Sequence, residues 1–318
     1  MKFISLMFVL FIAFTSCKKD EIAIEKHDSG NAIVSQLAMG EDYNNQIYYD
    51  LGTNSMVRSN PKTAWDLGFE SGVNGWHIVL NSARGMAVHR SNLSFDQLTT
   101  DVGLDWHWDV QSGDLDSTAF GDWQNDNLLY VIDLGYSSDG SHLGFKKMQM
   151  TDLTGTNYVI QVGDLSNSSG VEVVINKDPE TSFTYYSFDN GVVDIAPPKE
   201  EWDLLFTQYT HLFYNPDEVY VVSGVLLNRY QTEATLIVGK TFEDVNYADA
   251  IQANFSNLIN EIGYSWKWYD YSNSVYLVDP SMVYVVRTSE GLFYKIHFID
   301  FYNETGLKGY PKFEIAAL

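Results

Sequence analysis

Trp65-Asp66-Leu67-Gly68-Phe69 and Trp202-Asp203-Leu204-Leu205-Phe206 decide how this chain is read. In an extended strand alternate residues share a face, so Trp, Leu and Phe point one way while the aspartate faces the other way or caps a turn. The two copies are spaced by 137 residues. Tyr48-Tyr49 and Tyr185-Tyr186 keep that spacing, and so do Pro61-Lys62 and Pro198-Lys199. One constant spacing across several groups predicts an internal duplication. No His or Glu stands at a fixed distance from either aspartate, so Asp66 and Asp203 are read as structural groups rather than catalytic acids.

Further matches continue the repeat with shifted spacing, as loop insertions allow. Gly103-Leu104-Asp105-Trp106-His107-Trp108 parallels Gly263-Tyr264-Ser265-Trp266-Lys267-Trp268, and Lys147, Met148, Met150 and Asp152 parallel Lys295, Ile296, Phe298 and Asp300. The expected organisation is a first unit at 31–166 and a second at 167–318. Short apolar runs at 33–39, 47–51, 65–69, 77–80, 128–134 and 145–150 are separated by Gly, Asn, Asp, Ser and Pro. This pattern predicts an all-β fold with few short helices. The best helical periodicity runs from Phe242 to Ile262, with a weaker counterpart at 93–102.

The amino-terminal end has its own logic. A lysine, an apolar run from Ile4 to Phe14 and then Thr15-Ser16-Cys17 follow the order of a secretory signal, and the run is too short to span a membrane. Cys17 is the only cysteine, so no intramolecular disulfide is possible. Phe14-Thr15-Ser16-Cys17 resembles a bacterial lipobox, and Lys18-Lys19-Asp20-Glu21 resembles the signal that sends Bacteroidota lipoproteins to the cell surface. Residues 1–16 are therefore expected to be a lipoprotein signal peptide, Cys17 the lipid attachment site and 17–30 a flexible tether. Membrane association would run through that lipid alone, and the expected location is the outer membrane, facing the exterior. The formal charge of −23 and pI near 4.4 argue against nucleic acid as a partner, because phosphates would be repelled. No phosphate loop, metal-spaced His/Cys cluster or nucleophile elbow is present, so an enzyme is not expected.

Tyr185-Tyr186-Ser187-Phe188 leads to Gly191-Val192-Val193. The Trp202-Asp203 strand follows, and then a closing hairpin of Val283-Tyr284-Val285-Val286, Gly291 and Lys295-Ile296-His297-Phe298. This order resembles the HmuY family of Bacteroidota lipoproteins, and the first half resembles it more weakly. The resemblance implies two tandem HmuY-like units, haem as bound cofactor or cargo, and a role in haem and iron acquisition alongside a TonB-dependent outer-membrane receptor. Family members hold haem iron through two axial side chains, in the irregular region between the Trp-Asp strand and the final hairpin. In the first half that region offers Met86, His89 and His107; in the second it offers Tyr264, Tyr269, Tyr271 and Met282. The candidate haem-binding residues are His89 and His107 as axial ligands, with Met86 and Tyr271. The alternative is a duplicated β-scaffold that binds something else, such as a glycan stacked on Trp106 and Trp108 or a partner outer-membrane receptor.

Overall fold

The computed structural model describes residues 31–215 and 217–318. The expected signal peptide, Cys17 and the tether to residue 30 lie outside the described residues. In chain order the elements are β1 (Ile33–Gln36), β2 (Asn45–Asp50), β3 (Ser55–Pro61), β4 (Leu67–Glu70), β5 (Ile78–Leu80), β6 (Ala87–Ser91), the short helix α1 (Trp123–Asp126), β7 (Leu129–Asp133), β8 (Phe145–Leu153), β9 (Asn157–Asp164), β10 (Val171–Asn176), β11 (Phe183–Ser187), β12 (Gly191–Val193), β13 (Leu204–Tyr214), β14 (Asp217–Leu227), β15 (Glu233–Ile237), α2 (Tyr247–Gln252), β16 (Lys267–Asp270), β17 (Val275–Val278), β18 (Val283–Arg287), β19 (Phe293–Tyr302) and β20 (Lys308–Ala317). The fold is all-β, as the short apolar runs predict. No described helix is long and apolar enough to cross a membrane.

Two cores organise these strands. The first is enclosed by a five-stranded sheet, β10-β9-β8-β7-β6, and a four-stranded sheet, β12-β11-β4-β5. Leu67, Phe69, Tyr130, Met148, Tyr158 and Tyr186 are buried in it. The second lies between β1-β20-β19-β18-β15 and β14-β13-β2-β3 and is filled by Tyr49, Leu204, Phe206, Trp266, Phe298 and Phe313. Met148 and Met150 both face the first core, so they are packing residues.

Strand pairing crosses the division expected at 166/167. β1 pairs with β20 and β2 with β13, so the chain's opening strands complete the second core. In return, β10 pairs with β9 and β11 with β4, completing the first. Each Trp-Asp strand thus takes one of its two antiparallel neighbours from the other half. β2 and β11 each carry a Tyr-Tyr pair into the ladder, Tyr48-Tyr49 opposite Leu205 and Leu204, and Tyr185-Tyr186 opposite Gly68 and Leu67.

The surroundings of the two Trp-Asp segments match in detail. Asp66 N–H donates to the Tyr186 carbonyl at 2.8 Å, and Asp203 N–H to the Tyr49 carbonyl at 2.9 Å. The Asn81 side-chain amide donates to the Lys62 and Trp65 carbonyls, while that of Asn228 donates to those of Lys199 and Trp202. Lys147 Nζ, buried, donates to the Phe95 and Leu98 carbonyls, and Lys295 Nζ to those of Phe242 and Val245. Each ammonium also sits over the ring of the first of its two carbonyl partners, Phe95 at 4.7 Å and Phe242 at 4.6 Å.

Two expectations do not survive. The helix expected over 242–262 is confined to α2, which Asn246 opens with a capping box and Ala253 closes in extended conformation. Beyond it Ser256 turns to bridge Ala234, and the apolar residues disperse: Phe242 and Val245 join one cluster, Ile259 packs against a second and Ile262 enters the main core. The Gly-x-x-Trp-x-Trp blocks are not structural equivalents either. His107 bridges Val88 just as Ser256 bridges Ala234, whereas Lys267-Trp268 begins the β16–β17 hairpin.

Candidate functional site

β6 and the segment 104–108 bring two of the expected residues together. His89 lies on β6, paired to Val131 of β7, and the neighbouring Val88 exchanges two backbone hydrogen bonds with His107 at 2.9 and 2.8 Å. The result is that both imidazoles face the Asp105 carboxylate. His89 Nδ1 is 2.7 Å from one oxygen and His107 Nε2 is 3.5 Å from the other. Hydrogen bonds from its own backbone N–H and from His89 hold Asp105 below the ordinary carboxylate range. A carboxylate on one ring nitrogen fixes the tautomer and orientation of an imidazole and leaves its second nitrogen available as a ligand. The available atoms are His89 Nε2 and His107 Nδ1, neither of which has a partner among the described residues.

An aromatic row continues from this pair. The Trp106 ring meets His89 edge-on at 6.5 Å and stacks on Phe145 at 5.7 Å. Phe145 contacts His142 at 5.0 Å, and His142 contacts Tyr136 at 5.4 Å. His142 repeats the chemistry of His89, with Nε2 2.8 Å from Asp133. Tyr136 and Leu143 are exposed at the end of the row. His142 escaped the sequence reading because nothing marks a lone histidine in an Asp-Gly-Ser-His turn; its one signal is its position three residues before the β8 aromatic, Phe145.

The other expected ligands are elsewhere. Met86 is 1% exposed in the first core, packed as a hydrophobe, and cannot offer its sulfur to a ligand. Tyr271 is 87% exposed at the tip of the β16–β17 hairpin, edge-on to Tyr269, and no contact joins it to the histidines. Tyr264 packs against His211, and Met282 packs against the second core. Among the described residues no group of three or more His, Cys, Asp or Glu side chains could hold a bare metal ion. Two oriented imidazoles beside flat aromatic walls instead suit a ligand that brings its own equatorial donors to iron, and in that respect the residues present fit haem.

No curated relative matches this chain. Among solved structures it is similar to apo PinO from Porphyromonas gingivitis, at 10% identity and a TM-score of 0.39 over 91% of this chain and 98% of that one. It is also similar to the apo HmuY analog TFO of Tannerella forsythia, at 11% identity and a TM-score of 0.34 over 92% and 98%. The family model described as HmuY protein matches residues 42–315, a span that takes in most of both cores, both Trp-Asp strands and the His89–Asp105–His107 group, and the chain belongs to the HmuY family.

Proposed function

We propose that this chain is a lipoprotein, anchored through Cys17 at the outer membrane and facing the exterior, that binds haem in support of iron acquisition and passes it to a TonB-dependent receptor. One observation carries the reading: His89 and His107 both face a single carboxylate, that of Asp105, at the end of an aromatic row. His89 Nε2 and His107 Nδ1 are the candidate axial donors, Asp105 is the group that positions them, and Trp106 and Phe145 supply flat apolar surface for a porphyrin face. Matching hydrogen bonds around Asp66 and Asp203 support a second element of the proposal, that two duplicated units with exchanged opening strands make up this one family module.

Haemin titration of the chain lacking residues 1–17 tests the reading. A saturable Soret band is expected, lost in His89→Ala and weakened by about tenfold in Asp105→Asn, the usual lower cost of removing a group behind a metal ligand. Flat difference spectra at micromolar haemin would refute it. Labelling of Cys17→Ser with a radioactive fatty acid tests the anchor: the variant should take up no label, and undiminished labelling would refute acylation at that residue.

A further inference from the structure

The two Trp-Asp aspartates share one arrangement up to a single contact. Asp66 accepts the Phe188 N–H on Oδ2 at 2.8 Å and the Arg84 guanidinium on Oδ1. Asp203 accepts the Leu51 N–H on Oδ2 at 2.9 Å, while its Oδ1 has no hydrogen-bond partner and no counter-ion among the described residues. The two side chains are equally buried, at 6% and 5% exposure, so they differ in what completes them and not in setting.

The halves also differ in the length of a neighbouring loop. In the first, the connection between β7 and β8 spans 134–144 and packs against Arg84, whose carbonyl accepts the Tyr136 N–H at 3.0 Å. The corresponding connection between β18 and β19 is the tight turn 288–292, closed by the Gly291 N–H on the Thr288 carbonyl at 2.9 Å. This shorter turn borders a cleft of about 300 Å³ beside Asp203.

Asp50, Glu200 and Glu290 line the cleft together with Asp203, and none of its lining residues is Lys, Arg or His. Thr288 lines it too; it is 5% exposed, and its hydroxyl has no partner among the described residues. A buried polar atom without a partner is costly, so the Asp203 and Thr288 oxygens call for a donor that completes them. Burial, with Asp50 and Glu290 adding to it against the Leu51 N–H, pushes Asp203 up to about 7, the behaviour of a carboxylate short of positive charge. The carboxylates form no group that could hold a bare metal ion, so the complement is an organic cation. Trp202, edge-on to Tyr48 at 4.9 Å, adds an aromatic wall. A guanidinium both forks onto a carboxylate and stacks on an aromatic ring. The volume of about 300 Å³ is at the small end for ligand pockets and suits such a group on a short chain.

We propose that this cleft binds a guanidinium group, which takes on Asp203 the part that Arg84 takes on Asp66. Neither His89 nor His107 lines the cleft, so the assignment stands if the haem reading fails. Isothermal titration of the full chain at about pH 8, where Asp203 is ionised, tests it with ethylguanidinium and with ethylurea as the uncharged match. Saturable one-to-one binding of ethylguanidinium is expected. Ethylurea, and ethylguanidinium on Asp203→Asn, should bind at least about tenfold more weakly, since a hydrogen bond to a charged group contributes enough for that factor. Glu290→Gln, an exposed change that leaves the core untouched, should weaken binding by about twofold to fivefold. A blocked Ala-Arg-Ala tripeptide separates the two sources of the group: tighter binding than ethylguanidinium marks an arginine side chain of a polypeptide, weaker binding a free guanidino compound. Equal affinity for ethylguanidinium and ethylurea would overturn the assignment, as would undiminished binding to Asp203→Asn or the absence of saturable heat at about 10 mM ethylguanidinium.

Discussion

Replacing Asp203 by asparagine should change the stability of this protein in a pH-dependent way that the same change at Asp66 does not reproduce. Both carboxylates are buried at matching positions and both accept a backbone N–H from the exchanged strand, Phe188 N–H for Asp66 and Leu51 N–H for Asp203. Asp66 has Arg84 as counter-ion; Asp203 has none. Burial, with Asp50 and Glu290 adding to it against the Leu51 N–H, pushes Asp203 up from 3.8 to about 7. A carboxyl raised in the folded state contributes its full stability below the unfolded value and loses it as pH climbs towards the folded one. Across that window the loss is about 4 kcal/mol, and between about pH 5 and pH 8 it is about 2.5 kcal/mol. Asparagine carries no charge and its carbonyl can still accept the Leu51 N–H. Urea denaturation of Asp203→Asn and the unaltered protein should therefore show a stability difference that shifts by about 2.5 kcal/mol in favour of the variant from pH 5 to pH 8. Asp66→Asn, which leaves Arg84 buried without its partner, should cost about 3–5 kcal/mol at both values. A stability difference for Asp203→Asn that stays constant across the two pH values would refute the reasoning.

Other perturbations follow from the same contacts. Lys147→Ala leaves the carbonyls of Phe95, Leu98 and Asn167 without their donor, and should lower the denaturation free energy by about 2–4 kcal/mol, with faster amide exchange over residues 95–98. Lys267 is buried against Trp266 and Phe301, and burial pulls its ammonium down from 10.5 to about 7, so the folded chain should gain stability as pH rises from 7 towards 10.5. Lys267→Met should flatten that rise in thermal melts, and an unchanged slope would contradict it. Gly135, at φ +67°, is so close to the Arg84 carbonyl that an added Cβ would stand 2.1 Å from its oxygen. Gly135→Ala should therefore displace Arg84 and lower the melting temperature by several degrees, about the shift expected for a loss of 1–3 kcal/mol.

The matching segments stand out in the sequence because their anchors are chemically demanding. A buried aspartate needs donors, so Trp-Asp recurs, and the lysines at 147 and 295 recur because each pins a loop by its carbonyls. Asn81 and Asn228 play an equal part and were missed, since an asparagine near a turn has many ordinary explanations. The pairing of β2 with β13 and of β11 with β4 left no trace in the sequence: β2 and β11 present the same tyrosine pair, so a residue pattern cannot say which Trp-Asp strand each one joins. Periodicity misled at 242–262 because residues spaced like one helical face were serving three different clusters. At the candidate site, His89 and His107 could be named from sequence, yet their meeting depends on the Val88–His107 bridge, a tertiary contact. Met86 looked available only because the sequence does not show that the residue just before β6 is buried.

The pairing of β1 with β20, Ile33 opposite Ile315 and Gln36 opposite Lys312, carries a consequence for biogenesis. The second core is sealed by the first and last strands of the described residues, so its closing partners are far apart in sequence. Loop-closure entropy makes such contacts late and slow. A chain that folds as it emerges from its amino-terminal end would wait, with its opening strands unpaired, until β20 emerged. The first core, complete by residue 193, could form meanwhile and serve as the platform for that wait.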